Sequence, residues 1–230
     1  MLVDIFSSFD DHNQVFMSMY FLVWGFSFLV ILLFNSNYWL NAPRWNMIMM
    51  NFKDIVTSQV FRSFGANLGG FLILISSMFL VLIALNLIGL IPYVFSPTSH
   101  LAVSLSLGLC MWLCLIISGV MFNPSSVIAS LLPMGAPAAL NPFLVLIETV
   151  SILVRPITLS VRLTANMSAG HIVLTLIGNY LASAMFSMSI STFILGSVQI
   201  FYTIFEFGIS LIQAYIFCLL ITLYSDEHPH

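Results

Sequence analysis

Residues 15–34 form a run without a single charge. At about 1.5 Å per helical residue, such a run matches the roughly 30 Å hydrocarbon core of a bilayer. Apolar runs of this length recur at 68–92, 101–122, 143–179 and 191–224. No water is available inside a bilayer to satisfy backbone N–H and C=O groups, so a segment that crosses must close its own hydrogen bonds as a helix. The expected fold is therefore an all-α integral membrane protein of one domain, residues 1–230, with about five membrane helices.

Composition agrees. Charged residues make up 6% of the chain and hydrophobic residues 60%, against about 25% charged in soluble domains. With a net charge of −3 and no basic patch, nucleic acid is not an expected partner, whereas membrane lipid is. The first residues carry Asp4, Asp10 and Asp11 and read as neither a signal nor a transit peptide. Cys110, Cys114 and Cys218 all lie in apolar runs and are expected to be packing residues. The histidines stand apart at 12, 100, 171, 228 and 230, so no metal or haem site is expected. There is no phosphate-binding glycine loop and no nucleophilic triad, so no cofactor and no nucleotide chemistry are expected of this chain.

Residues 44–64 alternate apolar Trp45, Ile48, Met49, Phe52, Val56 and Val60 with Asn46, Lys53, Thr57 and Arg62, the pattern of an amphipathic helix lying in the interface. Three of the five basic residues, Arg44, Lys53 and Arg62, fall here, so the positive-inside rule puts this segment inside and the N-terminus outside. The 68–92 and 101–122 spans are joined by a short turn and form a hairpin, with Asn86 and Gly89 expected to cap or pack the first of them. Pro124, Pro133, Gly135, Pro137 and Pro142 then mark an inner loop. The last two segments are too long to stand upright in a bilayer, so strong tilt or a break at Pro156 is expected.

The fourth segment contradicts its apolar setting. Glu148, Arg155 and Arg162 are spaced by seven, drift only about 20° per step and so share one helix face, with Asn166 a turn beyond. Each such charge at the bilayer centre costs at least about 2.5–3.5 kcal/mol, so this face should look at protein or water. The fifth segment has its own stripe, Gln199, Glu206 and Gln213. If the two segments pair antiparallel, Arg162 meets Gln213, Asn166 meets Ser210 and His171 meets Glu206, partners whose residue numbers sum to about 376.

These residues carry distinct chemistries. Arg162 stays charged in any protein environment, which makes it either a fixed positive point or half of a structural salt bridge. Glu206 and His171 can titrate, the composition of a proton relay; His171 can equally be a hydrogen-bonded packing residue. Glu148 either lines a water-filled access at the inner surface or sits near a helix start. Gln199 and Gln213 suit interhelical hydrogen bonding. Ala165, Ala169 and Gly170 would let another helix approach closely. A secondary transporter would show internal repeats around a midplane site, and none is seen.

Four strings now carry a resemblance: NLIGLIPYVFSPT at 86–98, LLPMGAPAALNPFL at 131–144, IETVSILVRPITLSVRLTANMSAGH at 147–171 and LIQAYIFCLLITLY at 211–224. The chain resembles the a subunits of rotary (F-type) ATP synthases of the mitochondrial type. The resemblance implies a stator subunit of the membrane sector, not an enzyme by itself. It implies partners in a ring of small hairpin proteolipids, each bearing one carboxylate, and in other stator and peripheral-stalk subunits. By the resemblance Arg162 is the essential fixed cation that separates two proton half-channels. His171 and Glu206 line the outer half-channel, Glu148 lines the inner one, and Asn166 and Gln213 neighbour the arginine; Arg155 receives no proton-path role. The implied location is the mitochondrial inner membrane, multi-pass, with the N-terminus in the intermembrane space and the C-terminus in the matrix.

Overall fold

The structure is a computed structural model that describes residues 24–25, 44–91, 94–132, 140–187 and 190–227. Its elements are α1 (Arg44–Val60), a 3-10 turn (Phe64–Asn67), α2 (Phe71–Gly89), a second 3-10 turn (Pro97–Ser99), α3 (Leu101–Phe122), α4 (Pro124–Ser130), α5 (Asn141–Ser187) and α6 (Ile190–Asp226). Among the described residues there is no strand, and four helices are long and apolar enough to cross a membrane: α2, α3, α5 and α6. The expected first span, 15–34, lies outside the described residues except for Trp24 and Gly25, which are helical.

The centre of the bundle is α2. It is apolar all round, and 56% of its most hydrophobic stretch is buried, against 17% for α3 and for α5. Ile75, Phe79, Leu82 and Ile83 of α2 join Leu159 and Leu163 of α5 and Phe217, Cys218 and Ile221 of α6 in one core. A helix hydrophobic on every side belongs inside a bundle or in lipid, and α2 is mostly inside. From α1, Val56 and Val60 enter the same core, and the Gln59 side-chain amide donates to the Tyr215 hydroxyl at 2.8 Å. Lys53, Asp54 and Ser58 face outward.

Helices α5 and α6 pack on each other, α5 also on α3 and α6 also on α2. They have 47 and 37 residues, roughly 70 Å and 55 Å at about 1.5 Å per residue. Both exceed the spans read from hydropathy, because α5 begins at Asn141 and continues through Ser187. Pro156 lies inside α5 without ending it. The outward faces of the pair stay open: Leu153, Ile157 and Val161 on α5 and Phe193, Phe201 and Ile204 on α6 are exposed.

Several local expectations are corrected. Pro124 does not open a loop; it starts α4 at the first helical positions, where a missing N–H costs nothing. Pro142 likewise falls in the first turn of α5, while Pro133, Gly135 and Pro137 lie outside the described residues. Asn86 is not a cap. It is fully buried, and its side-chain amide donates to the Ser210 carbonyl at 3.2 Å, tying α2 to α6. The short turn before α3 is itself buried: Ser96, Pro97 and Thr98 are shielded and pack against α5. Beside it the rings of Trp24, Phe95 and His100 stand within 5.1–5.5 Å of one another. Of the cysteines only Cys218 is in the core; Cys110 and Cys114 are exposed.

Candidate functional site

The antiparallel register of α5 and α6 determines which polar residues meet. Arg162 and Gln213 line one narrow crevice with Leu159, Leu163 and Phe217. Farther along, the Leu181 methyl lies 4.0 Å from where a Cβ on Gly196 would stand. Contacts in the middle of the pair and near its turn thus follow the numbering relation expected from the two stripes.

Glu206 packs directly on Gly170 across the two helices. Its side chain fills the space that a Cβ at Gly170 would occupy, with Oε2 3.0 Å from that position. Any larger residue at 170 would have to displace the carboxylate. Glu206 is only 2% exposed, and among the described residues neither carboxylate oxygen has a hydrogen-bond partner. A buried carboxylate without protein partners is costly and requires water, a proton or another molecule to satisfy it.

His171 does not hydrogen-bond Glu206. Its ring lies toward α2, with Nε2 3.7 Å from where a Cβ on Gly89 would stand. The reason is angular: consecutive helix positions differ by about 100°, so when Gly170 faces α6, His171 must turn to α2. Asn166 and Ser210 do not meet either. Asn166 is exposed on the open side of α5, whereas Ser210 is fully buried beside Asn86. Register matches their level along the axis but not their faces.

Arg162 is exposed, and among the described residues no carboxylate pairs with it. Ala165, Asn166 and Ala169 share its open side, next to exposed Ile157 and Val161. A cation on an apolar helix face wants an anion from elsewhere. The small neighbours leave room for an approaching helix.

At the other end of α5, Arg155 and Glu148 turn into an open cavity of about 340 Å³ lined by α3, α4, α5 and the end of α6. Arg155 Nη2 lies 3.7 Å from Glu148 Oε1, its Nη1 pairs with Glu227, and its guanidinium sits 5.2 Å from the centre of the Tyr224 ring. The three charges of the seven-residue stripe therefore part company: two face this cavity and Arg162 faces the open side. Tyr224 and Glu227 were not singled out from sequence. Extending the numbering relation from Arg155 reaches α6 within one turn of Tyr224, a signal that would have found that residue.

Among the described residues no three His, Cys, Asp or Glu side chains gather as a metal site. The family model for the ATP synthase A chain matches residues 15–226. The ATP synthase subunit a of Drosophila melanogaster is 41% identical over 229 residues, covering 99% of each chain. That of Locusta migratoria is 39% identical over 235 residues, 99% of each. That of Albinaria caerulea is 38% identical over 229 residues, 100% of each. A match along essentially the whole length, with the arginine-bearing α5 and carboxylate-bearing α6 at its heart, shows that this chain belongs to the ATP synthase A chain family.

Proposed function

We propose that this chain is the multi-pass subunit of a mitochondrial-type ATP synthase that offers two separated proton half-channels to a rotating ring of carboxylate-bearing hairpin subunits. Relatives of the same length that are named ATP synthase subunit a support the assignment to that complex. The observation that carries the proton-path reading is the spacing of polar features along α5. Glu148 with its cavity and Gly170 with the Glu206 carboxylate stand about 33 Å apart along the helix axis at about 1.5 Å per residue. That is about the thickness of the hydrocarbon core. Arg162 lies between them on the open face.

The division of labour follows. A proton from the outer side passes Glu206, with His171 nearby, and neutralises a ring carboxylate, which can then turn through lipid. After rotation the proton leaves past Glu148 into the inner cavity. Arg162, charged in every state, draws the returning carboxylate into its ionised form and cannot itself carry a proton across. Asn166 and Gln213 flank that meeting point. Each charge moved across the membrane yields about 2.3 kcal/mol per 100 mV, so several protons must combine to drive ATP formation in an attached catalytic head. This chain supplies no nucleotide chemistry of its own.

In this reading the N-terminus faces the intermembrane space and the C-terminus the matrix. Other stator and peripheral-stalk subunits hold the chain against the torque of the ring. Copurification decides the assignment: a tagged chain solubilised in mild detergent should bring down a small proteolipid oligomer and an ATPase head. Recovery of the intact chain without either would overturn it.

A further inference from the structure

We infer that Glu227 is a positioning residue of the inner proton path, taking the hydrogen bond of Arg155 so that Glu148 is left with only a long ion pair and its carboxylate can exchange protons with cavity water. The inference rests on the proposed role of Glu148.

Arg155 and Glu148 lie two turns apart on the same face of α5, near enough for a guanidinium to reach back and grip the carboxylate with both N–H groups. It does not do so. The two form an ion pair at 3.7 Å, beyond hydrogen-bond distance. Arg155 is instead held from α6, where the Glu227 carboxylate accepts from Nη1 and the Tyr224 ring stands beside the guanidinium. Both α6 residues line the cavity with Glu148 and Arg155. From α3 and α4 the lining includes Trp112 and Ser130 and no charged group. The neighbouring acid, Asp226, is engaged elsewhere, accepting from the Phe64 N–H at 2.9 Å. Among the described residues Glu227 is therefore the only acid besides Glu148 lining the cavity.

The cavity volume, about 340 Å³, has room for several waters at about 30 Å³ each. Glu148, with 39% of its side chain exposed, can take a proton from the path and pass it to that water. If Glu227 released Arg155, the guanidinium would close on Glu148 and occupy both its oxygens. Proton exchange would then require breaking a charge-assisted pair.

The test uses the whole complex in proteoliposomes under an imposed gradient, with assembly checked on native gels. Glu227→Gln should slow ATP synthesis about tenfold, the low end of what one hydrogen bond to a charged group is worth. The defect should be deepest at alkaline inner pH and lessen as that side is acidified, because protonating Glu148 breaks its grip on Arg155. Glu227→Asp should retain most activity, and Glu227→Gln with Arg155→Gln should recover it, since the intruding cation is gone. If Glu227→Gln prevents assembly, Glu227→Asp alone and with Arg155→Gln provides the same comparison at smaller amplitude. A double variant as slow as the single one, a defect independent of inner pH, or normal synthesis by Glu227→Gln would overturn the inference. Arg162→Ala, run in parallel, separates the two claims: if it abolishes synthesis while Glu227→Gln has no effect, only the role of Glu227 fails.

Discussion

The carboxylate of Glu206 occupies the volume that any side chain at position 170 would need, so Gly170 and Glu206 are a steric pair across α5 and α6. This contact lies at the outer end of the proposed path. It also leaves both carboxylate oxygens without a hydrogen-bond partner among the described residues.

Gly170→Ala is expected to push Glu206 out of its place and to cost about 1–3 kcal/mol, the usual penalty for inserting a methyl group into a filled interior. Thermal unfolding of the purified complex would register the loss, and proton-driven ATP synthesis should fall with it. Adding Glu206→Ala should restore the stability, because the clash is removed, but not the synthesis. A Gly170→Ala complex with unchanged melting and flux would show that the helices can separate at no cost.

Arg162→Ala should abolish coupled ATP synthesis while letting the pH difference across the vesicle dissipate faster, because the fixed charge between the two proposed half-channels is gone. Arg162→Lys should also lose synthesis: a compact ammonium lacks the planar fork, and desolvation can strip its charge. ATP yield and acridine-dye quenching in the same vesicles report the two quantities. Near-normal synthesis by Arg162→Ala would remove the central residue from the mechanism.

Ser58 is exposed on α1, the segment whose basic residues argue for the inner side. Its orientation can be read with a cysteine at 58 in a background where exposed Cys110 and Cys114 are replaced by serine. A membrane-impermeant maleimide should label it only from the matrix-facing side of sealed vesicles. Labelling confined to the opposite face would invert the topology and exchange the outer and inner half-channels.

Much of this architecture is legible in the sequence. Apolar runs long enough for a bilayer leave the backbone no alternative to helix, and the third span was placed at its observed bounds, Leu101–Phe122. Two polar stripes at steps of seven also implied how α5 and α6 slide against each other, because axial level follows from residue number at a constant rise. Facing is a different quantity. One position of rotation, about 100°, sends Gly170 to Glu206 and His171 to Gly89, and no stripe reveals which neighbour wins that contest. The same rotation separates Arg155 from Arg162, turning the first toward a cavity lined by α3, α4 and Glu227 and leaving the second on the open face. Periodicity along one helix thus determined the helices, their stagger and the candidate charges. Only the packing of α2, α3 and α6 around α5 decided which charge met which partner, because that choice depends on residues distant in the chain and close in space.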